Sequence, residues 1–202
     1  MSSPRLILAS TSPYRQGLLA ELGLACLAVA PPVDEASVTA DDPVELARAR
    51  ALAKARSVAA GAPDALVIGS DQVVHLRSAP FGKPHSDESW LQTLRLFRGE
   101  WHTLSTAVAL VGPGAEEEVF VEHSRVRLRA DLEDAELLAY VRLGEARGCA
   151  GGYMVERRGA WLIEDVEGDW QNVIGLPIFP LVTRLRARGW RLGPTGPTRE
   201  HP

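Results

Sequence analysis

The chain has 202 residues, of which 46% are hydrophobic and 24% charged, as in a globular protein long enough to bury a sizeable core. Its net charge of −4 argues against a nucleic-acid-binding surface. Because no apolar run approaches a membrane span and the start is too short in apolar residues for a signal peptide, we expect a cytoplasmic protein with no nucleic-acid or membrane partner.

Short apolar runs alternate with helical patterns along the chain. A first strand at 5–9 leads to Ser12-Pro13, an N-cap followed by proline at the first helical position. The periodicity then predicts, in chain order, a strand at 24–30, a helix at 43–60, a strand at 65–69 that resumes at 72–76, a helix at 86–97 capped by Ser86, strands at 103–111 and 119–130, and a helix at 131–143. A hairpin is expected from 153–156 and 160–166, and a last helix at 177–188. This mixture predicts an α/β fold with a largely mixed sheet.

Two cysteines, Cys26 and Cys149, lie far apart in the chain without the spacing of metal ligands. We interpret them as reduced core residues, although the sequence alone leaves a disulfide open.

Polar residues follow the first predicted strand. In open α/β sheets ligands bind beyond the carboxyl ends of strands, and a helix N-terminus favours phosphate. Ser10 and Ser12 add hydroxyl donors there, and Arg15 adds a forked cation that suits phosphate oxygens. The alternative is that Ser12 only caps the helix and Arg15 is solvated.

An acid and an amide, Asp71 and Gln72, interrupt the apolar run around residues 65–76. A buried carboxylate needs a cation, which is either a metal ion or a structural salt-bridge partner. Glu35 and the segment Glu167-Gly168-Asp169 are further acids beside turns. Carboxylates gathered around Asp71 would suit Mg²⁺, which prefers oxygen ligands and bridges phosphates.

Lysine is rare in this chain: 20 of the 22 basic residues are arginine, and the two lysines are Lys54 and Lys83. Lys83 lies in Gly-Lys-Pro, and Lys54 lies on the predicted helix at 43–60. A lysine is a compact cation that can serve a phosphate group. The alternative for Lys54 is a solvated helix face.

Several common catalytic patterns are absent from the sequence, including the Walker A loop, the dinucleotide glycine motif, His-Glu-x-x-His and the Gly-x-Ser-x-Gly elbow. The five histidines have no zinc-ligand spacing. The remaining features indicate cations and a metal ion around a polyphosphate, which is consistent with nucleotide hydrolysis.

The residues that carry these features resemble the Maf family of nucleoside triphosphate pyrophosphatases over nearly the whole chain. The matching segments are 8–15, 34–35, 52–55, 68–72, 82–84, 149–153, 167–169 and 172–177. The resemblance implies one domain over 1–192, and the three prolines and two glycines of 193–202 predict a flexible tail there. It also implies an inosine-triphosphatase-like fold, an elongated mixed β-sheet flanked by helices, with two lobes around a cleft.

The resemblance implies hydrolysis of a nucleoside triphosphate, its small-molecule partner, between the α- and β-phosphates. By the same resemblance, Mg²⁺ or Mn²⁺ is held by Glu35 and Asp71, and Ser10, Arg15, Lys54 and Lys83 hold the triphosphate. Asp71 either accepts the proton of the attacking water or acts as a metal ligand, and the sequence does not separate these roles. A homodimer is left open.

Three positions distinguish two branches of the resembled family. One branch, which prefers thymidine and uridine triphosphates, has arginine, threonine and glutamine where this chain has Tyr14, Gln72 and Glu156. The branch associated with 7-methyl-GTP has tyrosine, glutamine and glutamate. This chain matches the second branch at all three, but has Gly152-Tyr153 where that branch often has serine and phenylalanine.

Physical chemistry supports part of that match, because Glu156 would complement the positive charge of 7-methylguanine and Tyr14 could stack on the ring. Otherwise Tyr14 and Glu156 are ordinary loop residues. Two alternatives therefore stand beside a 7-methyl-GTP pyrophosphatase. One is a dTTP/UTP pyrophosphatase of the same family, and the other is a nucleotide-binding septation inhibitor without turnover.

Overall fold

The computed structural model describes residues 5–194 and 196–199. The α-helices in this part of the chain are α1 (Pro13–Glu21), α2 (Pro43–Ala59), α3 (Asp87–Phe97), α4 (Asp134–Leu143), α5 (Trp170–Ile174) and α6 (Ile178–Ala187). The strands are β1 (Leu6–Ala9), β2 (Cys26–Val29), β3 (Leu66–Leu76), β4 (Ala79–Phe81), β5 (Trp101–Val111), β6 (Glu117–Leu128), β7 (Ile163–Glu167), β8 (Trp190–Gly193) and β9 (Gly196–Arg199).

A seven-stranded mixed sheet forms the centre of the protein, in the order β2-β1-β3-β5-β6-β7 with β4 beside β3. Strand β1 pairs in parallel with β2 and with the first half of β3, whereas β4, β5, β6 and β7 pair antiparallel. The long strand β3 therefore connects two ends of the sheet. This architecture confirms the predicted α/β class with a mixed sheet flanked by helices.

Helices pack on the two ends of the sheet in separate groups. At one end α2 covers one face through Ala47, Ala51 and Ala55, and α1 and α6 cover the other face with leucines. At the other end α3 and α4 enclose a cluster around Trp90 and Tyr140. The two lobes expected from the sequence are these two groups. None of the described helices is long and apolar enough to cross a membrane.

Most predicted elements are confirmed within one or two residues. Ser12 caps α1 with Pro13 at its first turn, and Ser86 caps α3. Strand β3 differs, because it continues through Ser70 and Asp71 where an interruption was expected. Helix α4 begins at Asp134 rather than at residue 131, after a capping box formed by Glu133 and Glu136.

The predicted hairpin over 153–166 is wrong. Tyr153, Met154 and Val155 are buried consecutively, whereas a half-buried strand would alternate. The Met154 amide donates to the Tyr140 hydroxyl rather than to a strand, and residues Arg158–Leu162 form a 3-10 turn. Only β7 remains of the hairpin, and it pairs with β6.

Residues 193–202 were expected to form a flexible tail, but the part that the structure describes contributes to a hairpin. Gly196–Arg199 forms β9, which pairs with β8, a strand that was not predicted. Trp190 is 7% exposed and packs into the cluster beneath α1 and α6, so burial anchors this hairpin. Residues 195 and 200–202 lie outside the described residues.

Both cysteines are free thiols, so the disulfide left open by the sequence is not formed. They are half-buried beside the core clusters rather than within them. Burial raises the pKa of the Cys26 thiol to about 12, which keeps this thiol protonated and unreactive at neutral pH.

The contact between α2 and β3 depends on Gly69. A Cβ atom there would overlap the Ala51 carbonyl oxygen and lie 2.8 Å from the Ala55 nitrogen, which is helix backbone that cannot move aside locally. Gly17 is the opposite case, because a Cβ there would meet nothing within 4 Å on α1.

We therefore expect Gly69→Ala to lower the melting temperature by roughly 5 °C or more, since overpacking costs about 1–3 kcal/mol. Gly17→Ala is the matched control and should leave the melting temperature unchanged or raise it, because alanine favours a helix interior. Calorimetry of the two variants measures this. Equal melting temperatures in Gly69→Ala and Gly17→Ala would contradict a tight contact between α2 and β3 at Gly69.

Candidate active site

A cleft of about 550 Å³ lies between the two lobes, where one edge of β3 is left open. The last pair between β1 and β3 is Ala9 with Gly69, and the first pair between β4 and β3 is Val74 with Phe81. Residues 70–73 pair with β5 on one side. On their other side no described strand is paired, so side chains and backbone of this stretch border the cleft. Its volume falls within the range of small-ligand sites.

Asp71 and Gln72 are consecutive in β3 and therefore point to opposite faces of the sheet. Asp71 contacts α2, whereas Gln72 contacts β5 and α5 on the other face. Both residues line the cleft. A ligand in this opening can thus be contacted from both faces of the sheet at once.

Lys54 lies at the centre of the α2 face of the site. Its ammonium group is 2.6 Å from Asp71 Oδ1 and 3.0 Å from Glu35 Oε1, and the lysine side chain is only 5% exposed. The solvated helix face considered for Lys54 is therefore wrong. Burial alone would raise the pKa of Glu35, but the charge and hydrogen bond of Lys54, helped by Lys83 and Arg50, hold that pKa below its usual range.

The carboxylates of Glu35 and Asp71 fit a divalent cation, the cofactor expected from the sequence. Both contact the same ammonium group, so they converge, and Asp71 Oδ2 is buried without a hydrogen-bond partner. The described residues contain no group of three or more acidic, histidine or cysteine side chains placed to hold a metal. A cation here would take its other ligands from phosphate oxygens and water, as Mg²⁺ commonly does.

The acids at 167 and 169 do not join this site. Glu167 pairs with Arg125 across β6 and β7 at 2.9 Å. Asp169 caps α5 by accepting the Asn172 amide. The expectation that these carboxylates gather around Asp71 is therefore wrong, because each is already engaged by its own neighbours.

Lys83 reaches the cleft from the opposite lobe. The loop that carries it is fixed by the Gly151 amide, which donates to the Gly82 carbonyl. Lys83 is exposed, and no ion pair is formed by it within the described residues. The two lysines are thus different: Lys54 is enclosed by carboxylates, and Lys83 is a free cation at the rim.

Arg50 is a cleft residue that the sequence argument did not assign. It lies one helical turn before Lys54 and lines the cleft, and its Nε is buried without a hydrogen-bond partner. The spacing of four residues on α2 is the signal that could have found it, because such positions share one helix face. The Arg50 guanidinium therefore has an unused N–H group that could donate a hydrogen bond to an anion in the cleft.

The residues between β1 and α1 also border the cleft. Ser10 is 5% exposed, and its hydroxyl accepts the Ser12 amide. Arg15 donates from Nε to the Gly175 carbonyl and from Nη1 to the Ser70 carbonyl, at 2.9 and 3.1 Å. Arg15 therefore joins α1 to the open edge of β3, and its remaining N–H groups are those left for a ligand.

Tyr14, Cys149, Met154 and Glu156 also line the cleft. The Tyr14 hydroxyl donates to Met154 Sδ at 3.5 Å. Burial raises the pKa of Tyr14 to about 12, so the phenol stays protonated. Glu156 is exposed, and its carboxylate has no hydrogen bond or ion pair among the described residues, which leaves its negative charge available to a ligand.

Because Lys54 is buried between two carboxylates, we expect that a positive charge of different shape at this position does not support turnover. We expect Lys54→Arg to lower kcat at least ~10-fold, or about 1.4 kcal/mol, because the wider guanidinium cannot occupy the space between the two carboxylates. Lys83→Arg should lower turnover by a few-fold, since an exposed side chain can adjust. The measurement is pyrophosphate release by each purified variant.

Arg48→Lys is the matched control, a charge-conserving change in a surface pair with Glu45 on the same helix. It should leave kcat unchanged. Normal turnover in both lysine variants would contradict the requirement for lysine at these positions.

Comparison with known proteins places the chain in a family. Residues 5–188 match the family described as Maf-like protein. A protein named dTTP/UTP pyrophosphatase from Symbiobacterium thermophilum is 40% identical, covering 92% of this chain and 95% of that protein. A protein named 7-methyl-GTP pyrophosphatase from Cupriavidus pinatubonensis is 39% identical, covering 93% and 94%.

A protein named nucleoside triphosphate pyrophosphatase from Synechococcus elongatus is also 39% identical, covering 92% of this chain and 93% of that protein. The solved structure of the Staphylococcus aureus Ham1 protein aligns with a TM-score of 0.47 and 16% identity, over 62% of this chain and 72% of that chain. Because the family match spans nearly the whole chain and relatives near 40% identity cover over nine-tenths of it, the chain belongs to the Maf family.

Proposed function

We propose that this protein hydrolyses 7-methyl-GTP to 7-methyl-GMP and pyrophosphate. At the coarser level it is a nucleoside triphosphate pyrophosphatase, a hydrolase acting on acid anhydrides, as its relatives are named. Those names divide between 7-methyl-GTP and dTTP/UTP, so the base must be argued from the residues of this chain. The resemblance in Tyr14, Gln72 and Glu156 favours the methylated purine.

The observation that carries the reaction is the contact between Asp71 and Lys54. A carboxylate that is 5% exposed is held by an ammonium group at 2.6 Å beside a cleft bordered by cations. In the proposed reaction the oxygen of a water molecule attacks the α-phosphorus. The bond from that phosphorus to the oxygen bridging to the β-phosphate breaks, and Asp71 accepts the proton of the water.

The cations divide between holding Asp71 and holding the triphosphate. Lys54, expected from the sequence to hold phosphate, instead fixes the carboxylate through a direct hydrogen bond. Lys83, Arg50, Arg15 and the Ser10 hydroxyl border the cleft and would neutralise the charge that develops on the leaving pyrophosphate. In the alternative that the sequence leaves open, Asp71 would instead join Glu35 in holding a divalent cation, Mg²⁺ or Mn²⁺, which supplies further charge neutralisation when bound.

The base is proposed to occupy the end of the cleft lined by Tyr14, Gln72 and Glu156. Methylation at N7 gives guanine a positive charge, and Glu156 is a carboxylate without a protein partner in the described chain. The Tyr14 ring offers a face for stacking on that cation. Uracil and thymine are neutral and would gain nothing from the Glu156 charge.

The test is kcat/KM for 7-methyl-GTP, GTP, UTP and dTTP, measured by pyrophosphate release with Mg²⁺ or Mn²⁺. We expect 7-methyl-GTP to be preferred over each of the others by ~10-fold or more, because a charge-assisted contact contributes about 1.5–3 kcal/mol. Glu156→Gln keeps the shape and removes the charge, so it should lower the ratio of 7-methyl-GTP to GTP about 10-fold.

Glu164→Gln, a change in an exposed surface pair with Arg127, serves as the control and should leave the ratio unchanged. A preference for UTP or dTTP would overturn the assigned base and leave the enzyme class standing. The absence of pyrophosphate release from all four nucleotides would favour a binding protein without turnover.

A further inference from the structure

The side-chain amide of Gln72 is held in one orientation. Its Nε2 lies 2.7 Å from the backbone carbonyl oxygen of Asn172 and 2.9 Å from Thr106 Oγ1. A backbone carbonyl oxygen only accepts hydrogen bonds, so the atom facing it must be the amide nitrogen rather than the oxygen. Both N–H groups of the amide are therefore used inside the protein.

The oxygen of the same amide is left for a ligand. Gln72 Oε1 accepts no hydrogen bond from any described residue, and it is not among the buried atoms without a partner. Because Gln72 lines the cleft, this oxygen is an acceptor that the site can present. Together with the Glu156 carboxylate, it gives the base end of the cleft two acceptors.

The carbonyl that orients Gln72 is itself fixed from several sides. Asn172 is fully buried, and its amide donates to Asp169 Oδ1 at 2.9 Å. Its side-chain Nδ2 donates to Ser124 Oγ at 2.9 Å and to the Leu104 carbonyl at 3.3 Å. Ser124 in turn donates to the Asp169 carbonyl. Helix α5 is thus bound to β5 and β6 where it meets Gln72, so the acceptor for Nε2 cannot shift.

We propose that Thr106 and Asn172 are positioning residues that determine base selectivity by locking Gln72 with its oxygen toward the base. This inference rests on the proposed function, because it concerns the same base-binding end of the cleft. A locked acceptor favours a base edge with adjacent donors. Guanine offers N1–H beside its N2 amino group, whereas uracil and thymine offer one N–H flanked by two carbonyl oxygens.

Thr106 is the residue whose contribution can be removed cleanly. It is fully buried in β5 and is paired with Gln72 across the strands. Its hydroxyl accepts the second N–H of the amide, and valine has the same shape without the hydroxyl. In Thr106→Val that N–H loses its partner, so the orientation of the amide oxygen is held by one hydrogen bond, to the Asn172 carbonyl, instead of two.

The experiment measures kcat/KM for 7-methyl-GTP and UTP in the wild type, Thr106→Val and Thr106→Ser. We expect Thr106→Val to lower the ratio of 7-methyl-GTP to UTP ~3- to 10-fold, the effect of one hydrogen bond, mainly through KM. Thr106→Ser keeps the hydroxyl and should retain the wild-type ratio. The inhibition constant of inorganic pyrophosphate should be unchanged in both, since pyrophosphate does not reach the base end.

Introducing Thr106→Val into a Gln72→Met variant distinguishes a positioning role of Thr106 from a general loss of structure. In Gln72→Met the amide is absent, so adding Thr106→Val should not change the ratio further. If the ratio falls equally in both backgrounds, Thr106 does not act through Gln72 and the inference is overturned. It is also overturned if Thr106→Val keeps the wild-type ratio.

The outcome for the wild type distinguishes this inference from the proposed function. A wild-type preference for UTP would overturn both, because the base edge would then be the wrong one for a locked acceptor. A wild-type preference for 7-methyl-GTP with no response to Thr106→Val would overturn the positioning role alone.

Discussion

The buried contact between Lys54 and Asp71 is the constraint on which the rest of the site depends. An isolated charge in this environment is costly, so each of the two groups requires the other. Lys54 reaches Asp71 only because α2 lies unusually close to β3, with Ala51 and Ala55 against Gly69. The small residues of the helix and the glycine of the strand therefore support the site, although none of them lines the cleft.

The open edge of β3 explains how one short segment serves both chemistry and recognition. Strand alternation places Asp71 toward α2 and Gln72 toward α5, and the gap between β1 and β4 exposes this stretch to the cleft. A nucleotide in the opening would have its phosphates near the cations of one face and its base near the amide of the other. Arg15 occupies part of the open edge and joins α1 to it.

Local pattern predicted the caps of α1 and α3, most strands and the burial of Asp71, because these depend on neighbours in sequence. The strand prediction failed at 153–156, because consecutive buried residues of a loop give the same apolar sequence as a buried strand. The carbonyl partners of Arg15 lie 55 and 160 residues away, and the two residues that orient Gln72 lie 34 and 100 residues away, so no local pattern contains them. Glu167 was misassigned for the same reason, since its partner Arg125 lies on β6. Asp169 is different, because it caps α5 through the Asn172 amide only three residues away.

We propose above that the Asp71 carboxylate takes part in the hydrolytic step. The most direct test is kcat of Asp71→Asn under saturating nucleotide, with its melting temperature as a check on folding and Asp64→Asn, an exposed change, as the control. We expect kcat to fall ~10²-fold or more in Asp71→Asn and not to change in the control. A folded Asp71→Asn variant with near-normal turnover would contradict it.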